Sequence, residues 1–261
     1  DPENDRQTQT HRESLKRIAE ALEHNELVLF YQPKVNMRTG QVIGAEALIR
    51  WQHPERGLVP PGEFLPLIEG DELLVRISDW VLDTALAQMT AWRAQGLDIA
   101  VSVNIAAHHL QQKDFLLCLQ EKLAAHPEIL PDRLELEVLE TAALEGVAQV
   151  SRLIEGCRAL GVHFSLDDFG TGYSSLTYLK RLPASVLKID QSFVRDMLWD
   201  SEDLAIVEGV IGLAAAFRRT VIAEGVETAE HGELLLRLGC DLAQGYGIAR
   251  PMPAADIPGW V

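Results

Sequence analysis

Eight short apolar or β-branched runs punctuate this chain, and between most of them lies an amphipathic stretch; no other feature constrains the fold as much. The runs are "LVLFYQPKV" from Leu27, "VIGAEALIRW" from Val42, "IAVSVNIA" from Ile99, "LELEVLE" from Leu134, "VHFSLDD" from Val162, "SVLKID" from Ser185, "TVIAEGVE" from Thr220 and "DLAQGYGI" from Asp241. The stretches Ile77–Gly96 and Gly146–Gly161 place apolar residues three and four apart and stop at glycine, the signature of helices. Strand and helix in alternation over 261 residues predict a single (β/α)8 barrel in preference to two small domains. One joint breaks the rule. Only "MRTGQ" separates the first two runs, which is hairpin length and too short for a parallel crossover. The fold class expected is therefore α/β, a modified TIM (β/α)8 barrel with an antiparallel first strand. The opening helix, "HRESLKRIAEALEHNE", is expected to cap the barrel floor. A doubly wound open sheet is the competing architecture, but "GTGYSS" lacks the third glycine of the GxGxxG phosphate fingerprint.

Composition narrows the function. A net charge of −16 argues against binding duplex nucleic acid, which needs Lys and Arg to neutralise phosphates, but leaves room for a small phosphorylated ligand if metal ions supply local positive charge. No apolar run approaches the roughly 20 residues of a membrane span. The leader "DPENDRQTQTHRESLKR" is polar and has no secretory apolar stretch. Residues 1–14 read as a linker from an upstream domain and 15–261 as the folded domain. Cys118, Cys157 and Cys240 are far apart and lack metal-ligand spacing, which fits buried thiols in a reducing cytoplasm.

In barrel enzymes the chemistry sits at the carboxyl ends of the strands. There the polar residues form a set: Glu46 with Leu48 and Arg50 on its face of the second strand, Asn104 ending the third, Glu137 late in the fourth, and Asp167 with Asp168 ending the fifth. Lys188 ends the sixth, Glu224 the seventh, and Gln244 lies in the eighth. Taken singly, each has a bland reading as a solvent-facing or salt-bridged residue. Together they are an all-oxygen donor set without His or Cys, which selects hard ions such as Mg2+ or Mn2+. Asp167 and Asp168 pose a problem, because neighbours on a strand point to opposite faces. If the pleat ends there, Asp167 can bridge two ions while Asp168 turns back to one of them, with the glycines of "FGTG" permitting the bend. Two ions about 4 Å apart suit in-line attack on a phosphodiester. His108 and His109 are adjacent at a helix start, a poor arrangement for a metal, and capping or surface placement is expected. "DFG" appears without the HRD loop or glycine-rich loop of a kinase.

These residues also carry a resemblance. "EALIR" (Glu46 to Arg50), with "YQPKV" upstream and "DDFGTGYSSL", "LKID" and "AEGVET" downstream, is similar to the EAL family of bacterial cyclic di-GMP phosphodiesterases, in order and at matching spacing from about Leu15 to Pro253. The resemblance implies a barrel with an antiparallel first strand and hydrolysis of cyclic di-GMP to linear pGpG with two Mg2+ or Mn2+ ions. By position it implies that Glu46, Asn104, Glu137, Asp167, Asp168 and Glu224 hold metal and that Lys188 holds and polarises the attacking water. Gln244 and Glu227 support the site, Glu140 supports the loop after the fifth strand, and Gln32, Leu48 and Arg50 lie near the dinucleotide. It implies a homodimer through the region after the fifth strand, "SSLTYLKRLP" (Ser174 to Pro183). An upstream sensory or GGDEF-type domain is expected, in a cytoplasmic part of a bacterial protein whose full length is compatible with a membrane anchor. Ca2+, larger and looser in coordination, is expected to bind without turnover.

The chain departs from the family at three places. Leu139 stands where Thr is usual, which puts the order of the loop after the fifth strand in question. "IEGDELL" replaces a shorter threonine-containing turn, and Gly247 replaces a bulky apolar residue, which is expected to loosen one wall near the ligand. An EAL-type receptor that binds cyclic di-GMP without cleaving it, and couples binding to a partner, is the alternative function. Such members typically lack several ligands, and all six are present here. A generic two-metal phosphatase on the same barrel is disfavoured by Gln32 and Arg50 flanking the site.

Overall fold

All eight runs form strands in the computed structural model, which describes residues 2–144, 147–171 and 176–261. In chain order these are β1 (Leu27–Asn36), β2 (Gln41–His53), β3 (Gly57–Val59), β4 (Ala100–Asn104), β5 (Leu134–Leu139), β6 (His163–Phe169), β7 (Val186–Ile189), β8 (Thr220–Ala223), β9 (Leu242–Ala243) and β10 (Met252–Pro253). β3 and β10 are short additions at the rim. The barrel runs β1-β2-β4-β5-β6-β7-β8-β9 and closes on β1. Every pair from β2 to β9 is parallel, and β1 is antiparallel to both neighbours, as its short turn requires.

Closure is sparing with backbone hydrogen bonds. β1 meets β9 only at Val35↔Ala243 and Asn36↔Leu242, and β10 pairs with Phe30 and Tyr31 further along. Between these contacts side chains take over: Gln32 Nε2 donates to the Ala249 carbonyl (2.9 Å), and Gln244 Nε2 donates to Gln32 Oε1 (2.9 Å). A buried amide left unpaired is costly, and these bonds hold Gln32 at both its oxygen and its nitrogen and Gln244 by its nitrogen.

The strands alternate in an instructive way. Val101 and Val103, Leu134, Leu136 and Val138, Phe164 and Leu166, Leu187 and Ile189 are all buried toward the surrounding helices, including Glu72–Ala94, Val147–Ala159 and Ser201–Ala216. The opposite parity faces the lumen and is mostly polar, with Ser102 and Asn104, Glu135 and Glu137, Ser165 and Asp167, and Lys188, joined by the apolar Val186 and Ile222. Barrel lumens are ordinarily filled by branched apolar side chains. Here most of the hydrophobic driving force comes from the wall between strands and helices, and the lumen is largely given to charged and polar groups.

The opening helix spans Pro2–Glu23, longer at its start than the amphipathic pattern from His11 indicates. It does not cap the floor. Because β1 runs backwards, its first residue pairs with Trp51, beyond the carboxyl ends of the parallel strands. The helix end is held at that rim: Arg17 donates to Glu26 (2.7 Å) and lies over the Trp51 ring (5.0 Å), whose Nε1 donates to Glu26 (2.8 Å). In the "IEGDELL" segment, Asp71 caps the following helix by accepting from Leu73 N, so the altered turn still supplies an N-cap.

Candidate active site

Lys188 occupies the centre of the site. Its Nζ is fully buried and lies 3.0 Å from Asp167 Oδ1, 2.7 Å from Glu224 Oε1 and 3.5 Å from Glu46 Oε2, and it donates to Glu137 Oε2. Burial alone would strip its proton, but Glu137, Glu224, Glu46 and Asp167 outweigh that and hold the ammonium well above the usual lysine range. With the carboxylates free of metal it is therefore held as an ammonium group and hydrogen-bond donor.

The acids around it fall into two groups that share one member. Ligand oxygens of Glu46, Glu137 and Asp167 lie within 4.8 Å of one another, and so do those of Asp167, Asp168 and Glu224. Asp167 thus stands between two potential cation positions. The backbone explains how Asp168 joins it. The β6–β7 register shifts between Leu166 and Phe169, and Asp168 adopts φ +53°. A residue in the left-handed region turns its side chain off the strand's alternation, at a strain of roughly 1–2 kcal/mol. Adjacent aspartates reach one site because the strand is broken between them and the next pair.

Electrostatics record the crowding. Burial, then the Asp167 and Asp190 charges, push the Asp168 carboxyl up to about 7. Burial pushes Glu224 up to about 8, with Asp167 and Glu46 assisting and Lys188 opposing. Glu137 also stands well above the carboxylate range through burial and the neighbouring Glu46. Glu46 behaves differently: against its burial, Lys188 and the donated hydrogen bonds of Gln244 Nε2 and Asn104 Nδ2 (2.7 Å each) keep it low. Glu137 Oε1 and Gln244 Oε1 are buried without a hydrogen-bond partner among the described residues. Orphaned oxygens of this kind, in an all-oxygen donor set, fit hard divalent ions and their coordinated water.

Beside the acids opens a polar cleft of about 310 Å3, reached by Gln32, Leu48, Arg50, Glu227 and Tyr246. Arg50 is half-buried, donates to the Ile49 carbonyl (2.8 Å) and lies near the Phe30 ring (6.0 Å). Glu227 is exposed at the rim. Gln244 directly follows β9 instead of lying within it, and Glu224 directly follows β8. His109 is buried against Ser78 Oγ (2.9 Å) and the Phe115 ring, away from the acids, and His108 is exposed.

Residues 15–251 match the family model of the EAL domain. The chain belongs to the EAL family. It is 45% identical over 241 residues to the bifunctional diguanylate cyclase/cyclic di-GMP phosphodiesterase MucR of Pseudomonas aeruginosa, covering 92% of this chain and 35% of that protein. The cyclic di-GMP phosphodiesterase PA2567 of the same organism is 40% identical over 235 residues, covering 89% and 40%. The solved structure of the MucR phosphodiesterase in complex with c-di-GMP superimposes with a TM-score of 0.89, covering 94% of this chain and 99% of that one. The chain spans about a third of the length of the curated relatives it matches.

In this EAL domain the two departures near the site differ in consequence. Gly247 closes its wall instead of loosening it. A Cβ there would sit 2.3 Å from the Glu227 carbonyl oxygen, and Gly247 N donates to the Val226 carbonyl (2.9 Å), so main chain fills the space a side chain would need. Leu139 ends β5 opposite Asp167, is 47% exposed, and lines an apolar recess with Pro61, Leu65, Leu74 and Ala106. Its neighbour Glu140 is buried and accepts from Gly170 N (3.0 Å), tethering the start of the loop after β6. The rest of that loop, Gly172–Ser175, lies outside the described residues. Leu139→Thr is expected to raise turnover by up to about fivefold, the worth of one modest hydrogen bond near 1 kcal/mol. An unchanged rate would show that the Glu140 tether already suffices.

Three lumen residues escape a reading confined to strand ends: Lys34, Ser102 and Glu135. Each lies two positions below a recognised site residue (Lys34 after Gln32 on the reversed β1, Ser102 before Asn104, Glu135 before Glu137). The period of two was the signal for them.

Proposed function

We propose that this domain hydrolyses cyclic di-GMP to linear pGpG and that its acids hold two divalent ions, Mg2+ or Mn2+. The observation that carries the reading is the double membership of Asp167, whose carboxylate belongs both to the Glu46–Glu137 group and to the Asp168–Glu224 group. The cyclic di-GMP phosphodiesterases MucR and PA2567, and the dinucleotide in the MucR complex, support the choice of substrate. Asn104, exposed at the end of β4 and bonded to Glu46, adds an amide oxygen to the first group.

When bound, divalent ions supply Lewis-acid charge and a water of lowered pKa. The chain's own groups do the rest. Lys188, whose Nζ sits in the middle of the acids, would donate toward an oxygen nucleophile there, which favours hydroxide over water at that spot. Gln244, held between Gln32 and Glu46, fixes the orientation of Glu46. Arg50 brings a planar guanidinium to the cleft and offers paired donors to phosphate. Tyr246 and Leu48 give apolar surface to the flanking nucleoside. Incubation with cyclic di-GMP and Mg2+ or Mn2+, followed by chromatography, is expected to yield pGpG. Ligand bound and recovered intact with both ions would instead establish a receptor.

Two partner proposals accompany this reading. The chain is proposed to follow a sensory or GGDEF-type domain, consistent with the greater length of its relatives. It is also proposed to pair through the region after β6. Residues Ser174 and Ser175 lie outside the described residues, and Leu179 and Leu182 are buried within the protomer, where Arg219 binds the carbonyls of both. Any pairing surface there must come from other residues of the segment. Light scattering at roughly tens of micromolar is expected to give twice the monomer mass, and monomer alone would remove the proposal.

A further inference from the structure

Beneath the acids lies a second, lower layer of charge. Lys34, reaching across the lumen from β1, donates to Ser102 Oγ and to Glu135 Oε1 (2.9 Å), and Ser102 Oγ donates to the same Glu135 oxygen (2.7 Å). Ser102 pairs in register with Glu135, and Asn104 with Glu137. The lower pair therefore repeats the upper one a single step down the barrel. Lys34 Nζ also sits 3.5 Å from Glu137 Oε1, the oxygen that has no hydrogen-bond partner among the described residues. The two oxygens of Glu137 thus face different lysines, Lys188 on one side and Lys34 on the other.

A buried ion pair of this kind is a poor way to stabilise a barrel, since apolar residues of similar volume do as well or better. Its position suggests another use. The acids Glu46, Glu135, Glu137, Asp167, Asp168 and Glu224 face two ammonium groups, leaving a formal charge of −4, the opposite of two divalent ions. Removing Lys34 together with Glu135 keeps that charge but takes away the cation that faces Glu137 Oε1.

We propose that Lys34 is a positioning residue: clamped by Ser102 and Glu135, it holds the Glu137 carboxylate at the orientation in which it meets a divalent ion. The proposal rests on the reading that these acids hold such ions. Groups behind a metal ligand typically change affinity by about 10–100-fold when lost.

The test is Mn2+ binding by titration calorimetry to the wild-type chain and to the double variant Lys34→Met/Glu135→Gln, alongside KM for cyclic di-GMP at saturating Mn2+. The double variant is expected to bind Mn2+ about tenfold or more weakly, with KM within about twofold of wild type. Equal or tighter Mn2+ binding in a folded double variant would overturn the proposal and leave Lys34 as a neutraliser of Glu135. If the double variant does not fold, Ser102→Ala carries the test, since it removes only the hydroxyl that clamps Lys34. Weaker Mn2+ binding at an unchanged metal-free melting temperature supports positioning, and unchanged binding overturns it. A wild-type chain that binds no Mn2+ would fail the metal reading itself, a separate outcome.

Discussion

Asp167→Asn is expected to lower turnover of cyclic di-GMP by about a thousandfold, equivalent to about 4 kcal/mol of transition-state stabilisation. The size follows from the residue's place. Asp167 is the one acid common to both ligand groups, so a neutral amide there weakens two cation positions at once. It also removes the negative charge 3.0 Å from Lys188 Nζ, loosening the donor proposed to face the nucleophile. The fold should persist, because the side chain lies on the lumen face of its strand and the amide can still accept from Asp168 N, as Oδ1 does now (3.1 Å). Circular dichroism and a melting curve on the same sample separate lost chemistry from lost structure. Wild-type rates of pGpG formation in the folded variant would remove Asp167 from the ligand set.

How much of this was legible in the chain depends on the physical range of each effect. The barrel and its reversed first strand follow from local facts: a five-residue turn cannot carry a parallel crossover, and strand runs alternate with helical ones. The site acids follow from the same alternation, since in a barrel the carboxyl ends of parallel strands converge on one mouth. Asp168 needed a break in the pleat, and glycines downstream made that break readable. The left-handed φ of Asp168 itself was not, because it is imposed by the register shift against β7. Placement of the opening helix failed for a topological reason: reversing β1 moves its first residue from the floor to the mouth, so the helix end lies against Trp51. Gly247 misled because a glycine in sequence looks like space, whereas here the Glu227 main chain occupies it. The period of two puts Lys34 on the lumen face, but its pairing is not readable: Ser102 and Glu135 lie 68 and 101 residues away, and only the closed lumen brings them together.

The electrostatics of the mouth lead to a second large effect, on stability. Without metal, burial and neighbouring carboxylates push Glu224 up to about 8 and Asp168 up to about 7, both above the ordinary carboxylate range near 4. Between those limits the folded state holds protons that the unfolded chain has released. Stability in chelator is therefore expected to fall as pH rises from about 4 through about 8, the reverse of a salt-bridged carboxylate. Divalent ions act against that trend, because they bind the ionised acids of the native state and not the unfolded chain. At one hundred times Kd the gain is about 2.7 kcal/mol, or roughly 5–10 °C in melting temperature for a domain of this size. The rise with Mg2+ should be saturable and larger at pH 8.5 than at pH 6, and cyclic di-GMP should add to it only when a divalent ion is present. Ca2+ should raise the melting temperature too, since its oxygen preference is the same, yet its looser coordination should leave the dinucleotide uncleaved. Melting curves with Mg2+, Ca2+ and chelator, each paired with chromatography of the ligand, distinguish the cases. Turnover with Mg2+ and intact ligand with Ca2+ marks the enzyme, and intact ligand with both marks a receptor. Melting that ignores divalent ions at every pH would mean that these acids hold no such ion, and the two-ion reading would fall with it.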